Sequence, residues 1–163
     1  MIIRTAQEKD ISSLLDIYNY EVVNSTSTFD LNPKTYEEWS KWFYAHNVGN
    51  HPLIVAEIDS QVAGYASLST YREKEAYKST VELSVYVSTE FRRRGVATAL
   101  MEEILRMARE DDTIHTVVSV ITSENAESES LHNKMGFRLC GVIHEVGMKF
   151  GRYLSISNYE LQV

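Results

Sequence analysis

An arginine cluster beside small residues is the part of the sequence whose residue types best fit a chemical task. Residues 92–97 read Arg-Arg-Arg-Gly-Val-Ala and stand between a β-rich run, 81–87, and a segment with helical periodicity. A helix N-terminus carries unpaired N–H groups and roughly half a positive charge, so it attracts phosphate. Small residues at Gly95 and Ala97 let the backbone approach an anion, and arginines reach phosphate oxygens. The pattern predicts a pyrophosphate-binding turn.

Length and composition indicate a single domain, residues 1–163, with one hydrophobic core. The lone cysteine, Cys140, allows no internal disulfide and favours a reducing, cytoplasmic location. No apolar run approaches the ~20 residues that span a bilayer, so no membrane partner is expected. A net charge of −7 argues against nucleic acid. The arginines therefore suit a small anionic ligand.

The apolar periodicity predicts strands and helices that alternate irregularly along the chain. Four helices are expected to start at or just after Asp10, Thr35, Gly95 and Asn125, the second with the capping-box pair Thr35 and Glu38. Strands are predicted over residues 2–5, 53–58, 62–68, 80–87, 116–121, 137–146 and 153–161, with residues 147–151 as the last turn. The fold class is α/β, with a mixed and mainly antiparallel central sheet.

Other catalytic motifs are absent from the sequence. The five histidines show no paired metal spacing, so we expect no metal. Cys140 lies in a predicted strand, which favours a core position over a nucleophile. Neither a Gly-x-x-x-x-Gly-Lys-Ser/Thr loop nor a Gly-x-Gly-x-x-Gly fingerprint occurs, which disfavours kinases and dehydrogenases.

Two separate blocks resemble the GNAT superfamily of N-acetyltransferases. The first, Arg92-x-x-Gly95-x-Ala97, matches the acetyl-CoA signature Gln/Arg-x-x-Gly-x-Gly/Ala. The second, residues 125–137, is similar to the family's later helix and to the Gly-Phe that opens the following strand. The resemblance implies a GNAT-like fold and acetyl-CoA as co-substrate.

Within the superfamily the chain resembles the phosphinothricin N-acetyltransferase branch over nearly its whole length. Residues 17–19, 81–87 and 149–153 carry this resemblance. Tyr153 stands where the branch often has tryptophan, and Ser155 where it often has an acidic residue. Both positions lie near the branch's acceptor pocket, so the acceptor is less defined than the chemistry.

The resemblance implies that an amine attacks the thioester of acetyl-CoA. A primary amine is mostly protonated at pH 7, so a carboxylate that removes its proton is worth roughly 10²–10⁴ in rate. Glu82 is our candidate for this general base, and alternation places it on one strand face with Ser84 and Tyr86. The alternative is a solvated or salt-bridged strand glutamate.

The resemblance also implies which residues bind acetyl-CoA. Main-chain groups of the strand are expected to bind the pantetheine arm, the arginine-rich turn the pyrophosphate, and the start of the later helix the cofactor. These candidates are Val85, Tyr86, Val87, Arg92, Arg93, Arg94, Gly95, Val96, Ala97, Thr98, Asn125 and Ser128. His132 stands where many members have a tyrosine that protonates the departing thiolate, and a histidine can carry that proton. A packing or capping role for His132 is the alternative.

The acceptor pocket is assigned to residues that the branch uses around its substrate. Arg72, Tyr77 and Lys78 are candidates, with Arg72 suited to an acidic group on the acceptor. Phe29 is expected to cover the pocket. Ordinary surface charges, and simple packing of Phe29, are the alternatives.

We expect transfer of acetyl from acetyl-CoA to the α-amino group of a small amino-acid-like acceptor of the phosphinothricin, methionine sulfoximine or methionine sulfone type. Acetylation of a polyamine or a protein N-terminus, or a non-catalytic acyl-CoA-binding module, are the alternatives. The resemblance also implies a homodimer, with Tyr153 and Tyr159 as exposed contact residues.

Overall fold

The computed structural model describes all 163 residues and centres on a seven-stranded sheet. The elements in chain order are β1 (Ile2–Thr5), α1 (Ile11–Asn24), α2 (Tyr36–Tyr44), β2 (Leu53–Ile58), β3 (Gln61–Thr70), β4 (Thr80–Val87), α3 (Val96–Glu110), β5 (Thr116–Thr122), α4 (Ala126–Lys134), β6 (Arg138–Lys149) and β7 (Arg152–Gln162). The strand order is β1-β2-β3-β4-β5-β7-β6, and only β4 and β5 run parallel. The predicted fold class, the seven strands and the four helices are confirmed.

The helices cover both faces of the sheet. The apolar stripe of α3, including Leu100 and Ile104, packs on the core side of β2, β3 and β4, and α4 adds Leu131 to the same cluster. On the opposite face α1 and α2 contribute Leu14 and Trp39 to a second cluster. None of the four helices combines the length and apolarity needed to cross a bilayer.

The parallel strands β4 and β5 separate halfway along. They pair only from Thr80–Thr116 to Glu82–Val118, whereas β4 stays paired with β3 as far as Val87 and β5 with β7 as far as Thr122. The carboxyl halves of β4 and β5 therefore form the two walls of a cleft.

The helix starts follow the sequence closely, with one difference. The Thr35 hydroxyl accepts from the Glu38 N–H at 3.2 Å and the Glu38 carboxylate accepts from the Thr35 N–H at 2.8 Å, which confirms the capping box. Asp10 precedes α1 as expected but does not cap it with its side chain. Its carboxylate instead accepts from the Gln7 N–H and pairs with Arg4, because a buried carboxylate needs a cation.

The last hairpin is longer than the sequence suggested. Its turn is only Phe150 and Gly151, both with positive φ, and Gly147 lies inside β6. Glycine is required at 147 because a β-carbon there would stand 2.4 Å from the ring of Phe29. The expected turn over residues 147–151 was wrong for this reason.

The expected burial of Cys140 and the expected exposure of Tyr159 were also wrong. Cys140 is exposed rather than buried, because β6 is an edge strand whose residues are almost all exposed. Tyr159 is 4% exposed and packs beside the His132 ring, whereas Tyr153 is 62% exposed. A strand beside β5 must bury one face, and Tyr159 lies on that face.

Candidate active site

A cavity of about 1240 Å³ fills the cleft between β4 and β5. Nearly all the residues predicted to bind acetyl-CoA line it. They are Val85, Tyr86, Val87, Arg92, Arg93, Gly95, Val96, Ala97, Thr98, Asn125 and Ser128. Arg94 is the exception: its guanidinium lies 5.3 Å from the centre of the Phe91 ring, outside the lining.

We call this cavity between β4 and β5 the cofactor cleft. Its end at the start of α3 has the properties of an anion-binding site. Gly95 caps α3 with φ +78°, a left-handed conformation that favours glycine. A β-carbon at Gly95 would meet no atom within 4 Å, so the space above it is open. The first turn of α3 carries no acidic residue and no side-chain cap, which leaves its N–H groups available. The shape and charge fit a pyrophosphate.

A buried carboxylate holds one of the arginines. Glu21 of α1 lies in the cleft wall and forms an ion pair with Arg92. Its other oxygen accepts from the Ser25 hydroxyl at 2.5 Å. Arg92 is thus oriented by α1.

The opposite wall is formed by β5 and the start of α4. Asn125 caps α4, with its Oδ1 accepting from the Ser128 N–H at 3.1 Å. The buried ring of His132 has two partners: its Nδ1 lies 2.7 Å from the Ser128 carbonyl oxygen and its Nε2 lies 2.8 Å from the Ser119 hydroxyl. Because a carbonyl oxygen only accepts, Nδ1 carries a proton and Nε2 is left to accept from Ser119.

Burial lowers the pKa of His132, although the hydrogen bond to the Ser128 carbonyl opposes this shift. The ring is therefore neutral near pH 7. Ser119 and His132 both line the cofactor cleft, so their hydroxyl and ring form a hydrogen-bonded pair within it.

A second cavity, of about 590 Å³, opens on the face of the sheet covered by α1 and α2. We call it the acceptor pocket. Its floor consists of facing side chains on β3 and β4, since Ser69, Ser67 and Tyr65 pair across the strands with Glu82, Ser84 and Tyr86. Aromatic rings of α1 and α2 form its roof: Tyr18 stacks on Trp39 at 4.5 Å and Trp39 on Trp42 at 4.3 Å.

Glu82 lies half-buried in the acceptor pocket, at the last paired residue before β4 and β5 separate. Burial raises the pKa of its carboxyl group, and no ion pair or hydrogen bond offsets this shift. A carboxylate that has a raised pKa and no partner is suited to accept a proton.

The other predicted acceptor residues divide into two groups. Phe29 lines the acceptor pocket, with its ring against Gly147. Arg72, Tyr77 and Lys78 do not line it. Arg72 lies between two rings, 5.0 Å from the centre of Tyr71 and 5.6 Å from that of Tyr77, so contacts within its own loop hold it.

Several residues of both cavities were missed from the sequence. They are Tyr18, Glu21, Asp30, Trp39, Trp42, Tyr65, Ser67, Ser69 and Ser119. Alternation along β3 is a signal that marks Tyr65, Ser67 and Ser69 as one face. No sequence signal shows that this face meets that of Glu82, because the meeting depends on the register of β3 and β4.

The fold and the cleft define a class of enzyme. Residues 3–155 match the model of the acetyltransferase (GNAT) domain, and the chain belongs to this family. It is an acetyl-CoA-dependent N-acetyltransferase.

Curated relatives and solved structures cover the whole chain. It is 38% identical over 161 residues to phosphinothricin N-acetyltransferase of Streptomyces coelicolor, covering 97% of this chain and 94% of the relative. It is 35% identical over 162 residues to an L-methionine sulfoximine/L-methionine sulfone acetyltransferase of Pseudomonas paraeruginosa, covering 99% and 94%.

A putative acetyltransferase from Salmonella typhimurium, solved with acetyl-CoA, superposes with a TM-score of 0.96 at 31% identity, covering 99% of this chain and 93% of that one. A structure named ribosomal-protein-alanine N-acetyltransferase, from Brucella melitensis, superposes with a TM-score of 0.96 at 36% identity and covers 100% of both chains.

Proposed function

We propose that residues 1–163 form a single N-acetyltransferase domain that moves acetyl from acetyl-CoA to the α-amino group of a small amino acid of the phosphinothricin, methionine sulfoximine or methionine sulfone type. One observation carries the proposal: the cofactor cleft and the acceptor pocket share walls. Five residues line both cavities: Ser27, Ser84, Tyr86, Val120 and Thr122. An amine at this shared wall of the pocket would therefore lie next to a thioester bound in the cleft.

Glu82 is the general base of this proposal. Its carboxylate removes a proton from the acceptor ammonium, which makes the nitrogen lone pair available for attack. The raised pKa brings this carboxyl group closer to the pKa of an amine, which makes the proton transfer less unfavourable.

The chain's backbone and helix ends supply the remaining functions. Val85, Tyr86 and Val87 lie on β4 beyond its last pair with β5, so their free main-chain groups can bind the pantetheine amides and the thioester oxygen. The turn at residues 92–98, the N-terminus of α3 and Asn125 with Ser128 hold the rest of acetyl-CoA. Arg94 contributes charge from outside the lining.

His132 is the proposed proton donor for the departing thiolate, acting through Ser119. The geometry favours a relay, because the Nδ1 proton is committed to a carbonyl and Nε2 accepts from the Ser119 hydroxyl. In this relay the ring takes up a proton from solvent at Nε2 and passes it to the Ser119 oxygen, while the Ser119 hydroxyl gives its own proton to the leaving sulfur. The packing role remains the competing interpretation of His132.

Arg72 is proposed to bind the acceptor's carboxylate at the mouth of the pocket. Ser69 lines the pocket at the end of β3, and Arg72 follows three residues later on an exposed loop that also holds Tyr77 and Lys78. A cation three residues beyond the pocket-lining Ser69 supports this role.

A homodimer is proposed because β6 is an exposed edge strand with apolar side chains. The last hairpin carries seven large apolar side chains that are at least one-third exposed: Leu139, Val142, Ile143, Val146, Met148, Phe150 and Tyr153. Val146 also lines the acceptor pocket, so a second copy on β6 would complete the pocket wall. An exposed free thiol at Cys140 supports the cytoplasmic location.

A protein N-terminus is the second candidate acceptor. The name of the Brucella melitensis structure favours it, at an identity similar to that of the amino-acid acetyltransferases. Both candidates present an α-amino group, so the same base serves either.

Thiol release from acetyl-CoA against a panel of acceptors tests the proposal. The panel contains phosphinothricin, methionine sulfoximine, methionine sulfone, polyamines and short peptides. Turnover with the amino-acid analogues is expected. Turnover with peptides alone would favour the second candidate, and acetyl-CoA binding without turnover on the panel would mean that the acceptor is an amine outside the panel, which would overturn the proposed acceptor.

A further inference from the structure

Three buried polar side chains of the acceptor pocket lack a hydrogen-bond partner. They are the indole nitrogen of Trp39 and the hydroxyls of Tyr65 and Ser67, and all three residues line the pocket that contains Glu82. Trp39 is 5% exposed, and Tyr65 and Ser67 are each 1% exposed. A buried donor without a partner destabilises the folded protein. No other side-chain nitrogen or oxygen buried this deeply lacks a partner, so the unpaired groups are concentrated in one place.

The chemistry of these groups defines the partner that they suit. An indole N–H can only donate. Burial raises the pKa of Tyr65 well above its usual value, so its hydroxyl stays protonated and can donate as well. The Ser67 hydroxyl supplies a third donor. All three groups can therefore be satisfied together by a molecule that presents hydrogen-bond acceptors, such as the oxygen atoms of a sulfone.

The surrounding charges indicate that this oxygen acceptor is neutral. Lys34 is the cation of the pocket lining, and its ammonium group is 3.4 Å from the Asp30 carboxylate. Glu38 and Glu82 add two more carboxylates to the lining. An anionic group beside the three donors would meet net negative charge with no free cation.

The distance between Glu82 and Ser67 also fits a small amino acid. Ser67 pairs across the strands with Ser84, two residues along from Glu82. Diagonal neighbours on one face of an antiparallel pair are about 7–8 Å apart, a distance that a methionine-sized molecule spans. With its amine at Glu82, the acceptor extends its side chain toward Ser67 and Tyr65.

We propose that Trp39, Tyr65 and Ser67 recognise a neutral oxygen acceptor at the end of the amino acid's side chain. They favour a sulfone, sulfoximine or carboxamide over an aliphatic thioether and over an anionic carboxylate. Phosphinothricin, whose side chain ends in an anionic phosphinate, is therefore expected to be the weakest of the three proposed acceptor types. This inference rests on the proposed function, because it assumes that amino acids enter the pocket.

The test compares kcat/KM for pairs of amino acids of similar shape. Wild-type protein is expected to prefer methionine sulfone over methionine, and glutamine over glutamate, each by at least about tenfold, roughly one hydrogen bond's worth. Tyr65→Phe and Ser67→Ala each remove one hydroxyl and are expected to reduce the sulfone-to-methionine ratio about tenfold. Tyr44→Phe, which removes an exposed hydroxyl of α2 outside the pocket, is the matched control and should preserve the ratio.

If Tyr65→Phe and Ser67→Ala lower kcat/KM equally for methionine sulfone and for methionine, the sulfone-to-methionine ratio stays unchanged. That result would overturn the inference and assign the three donors to a buried water. If Tyr65→Phe fails to fold, Ser67→Ala and Trp39→Phe give the same readout. Turnover of amino acids without any preference contradicts this inference alone. A wild-type protein that acetylates no amino acid contradicts the proposed function as well, so the two failures are distinguishable.

Discussion

The buried carboxylate of Glu21 holds the guanidinium of Arg92 at the edge of the cofactor cleft. The same carboxylate accepts a hydrogen bond from Ser25, the first residue after α1. Ser25 opens the segment that carries Phe29 and Asp30 into the acceptor pocket. One side chain of α1 therefore connects the arginine-rich turn, the proposed phosphate site, to the wall of the acceptor pocket.

The position of each arginine predicts its contribution to cofactor binding. Arg93 lines the cleft whereas Arg94 stacks on Phe91 outside it. Arg93→Ala is expected to raise the KM for acetyl-CoA about tenfold, since a charge-assisted hydrogen bond is worth about 1.5–3 kcal/mol. Arg94→Ala, the matched control, should change it less than threefold. Equal rises in the KM for acetyl-CoA in the two variants would mean that the local positive charge, and not direct contact, governs acetyl-CoA binding.

Two buried histidines predict how stability depends on pH. Burial lowers the pKa of both His46 and His132, whereas in the unfolded chain both titrate near 6.5. Below about pH 6.5 the unfolded chain binds protons that the folded chain does not, so stability falls as pH drops toward the lowered pKa values. Above that pH their contribution is fully present.

Urea unfolding at pH 5 and pH 7.5 measures this effect. His132→Asn is expected to lose less stability between the two pH values than the wild type does. His115→Asn is the control, because it changes a histidine that is exposed. A wild-type slope retained in His132→Asn would assign the acid sensitivity to other groups.

Much of this architecture was readable from the sequence because local signals agreed with the tertiary fold. The capping box at Thr35 and the apolar stripe of α3 act within a few residues, and both are confirmed. The acceptor pocket was less readable, since its floor arises from the register between β3 and β4 and its roof from α1 and α2. The turn predicted at Gly147 was wrong because of another long-range contact. The ring of Phe29 leaves no room for a β-carbon at residue 147, so the glycine there does not mark a turn.

If Arg72 binds the acceptor's carboxylate, the effect of removing Arg72 should depend on whether the acceptor has that carboxylate. Arg72→Ala is expected to raise the KM for a free amino acid about tenfold, since a charged hydrogen-bonded pair is worth about 1.5–3 kcal/mol. It should affect the corresponding methyl ester much less, because the ester lacks the negative charge. Lys74→Ala removes another exposed cation of the same loop and serves as the control. The role of Arg72 would be refuted by equal effects on acid and ester.

The apolar side chains of β6 predict an assembly that depends on this strand. Ile143→Glu places a charge on a side chain that is 50% exposed, and is expected to convert a dimer to a monomer in light scattering. Val23→Glu, at the similarly exposed end of α1, should leave the mass unchanged. A monomeric wild type would contradict the proposed homodimer.

Glu82 is proposed to take the proton from the acceptor amine, and its replacement by glutamine isolates this role. Glu82→Gln keeps the shape of the side chain and is expected to lower kcat by roughly 10²–10⁴ while acetyl-CoA binding, followed by calorimetry, stays unchanged. Wild-type kcat/KM should rise with pH through the raised pKa of Glu82, and that limb should vanish in the variant. Turnover within twofold of the wild type, with the same acid limb, would contradict the account.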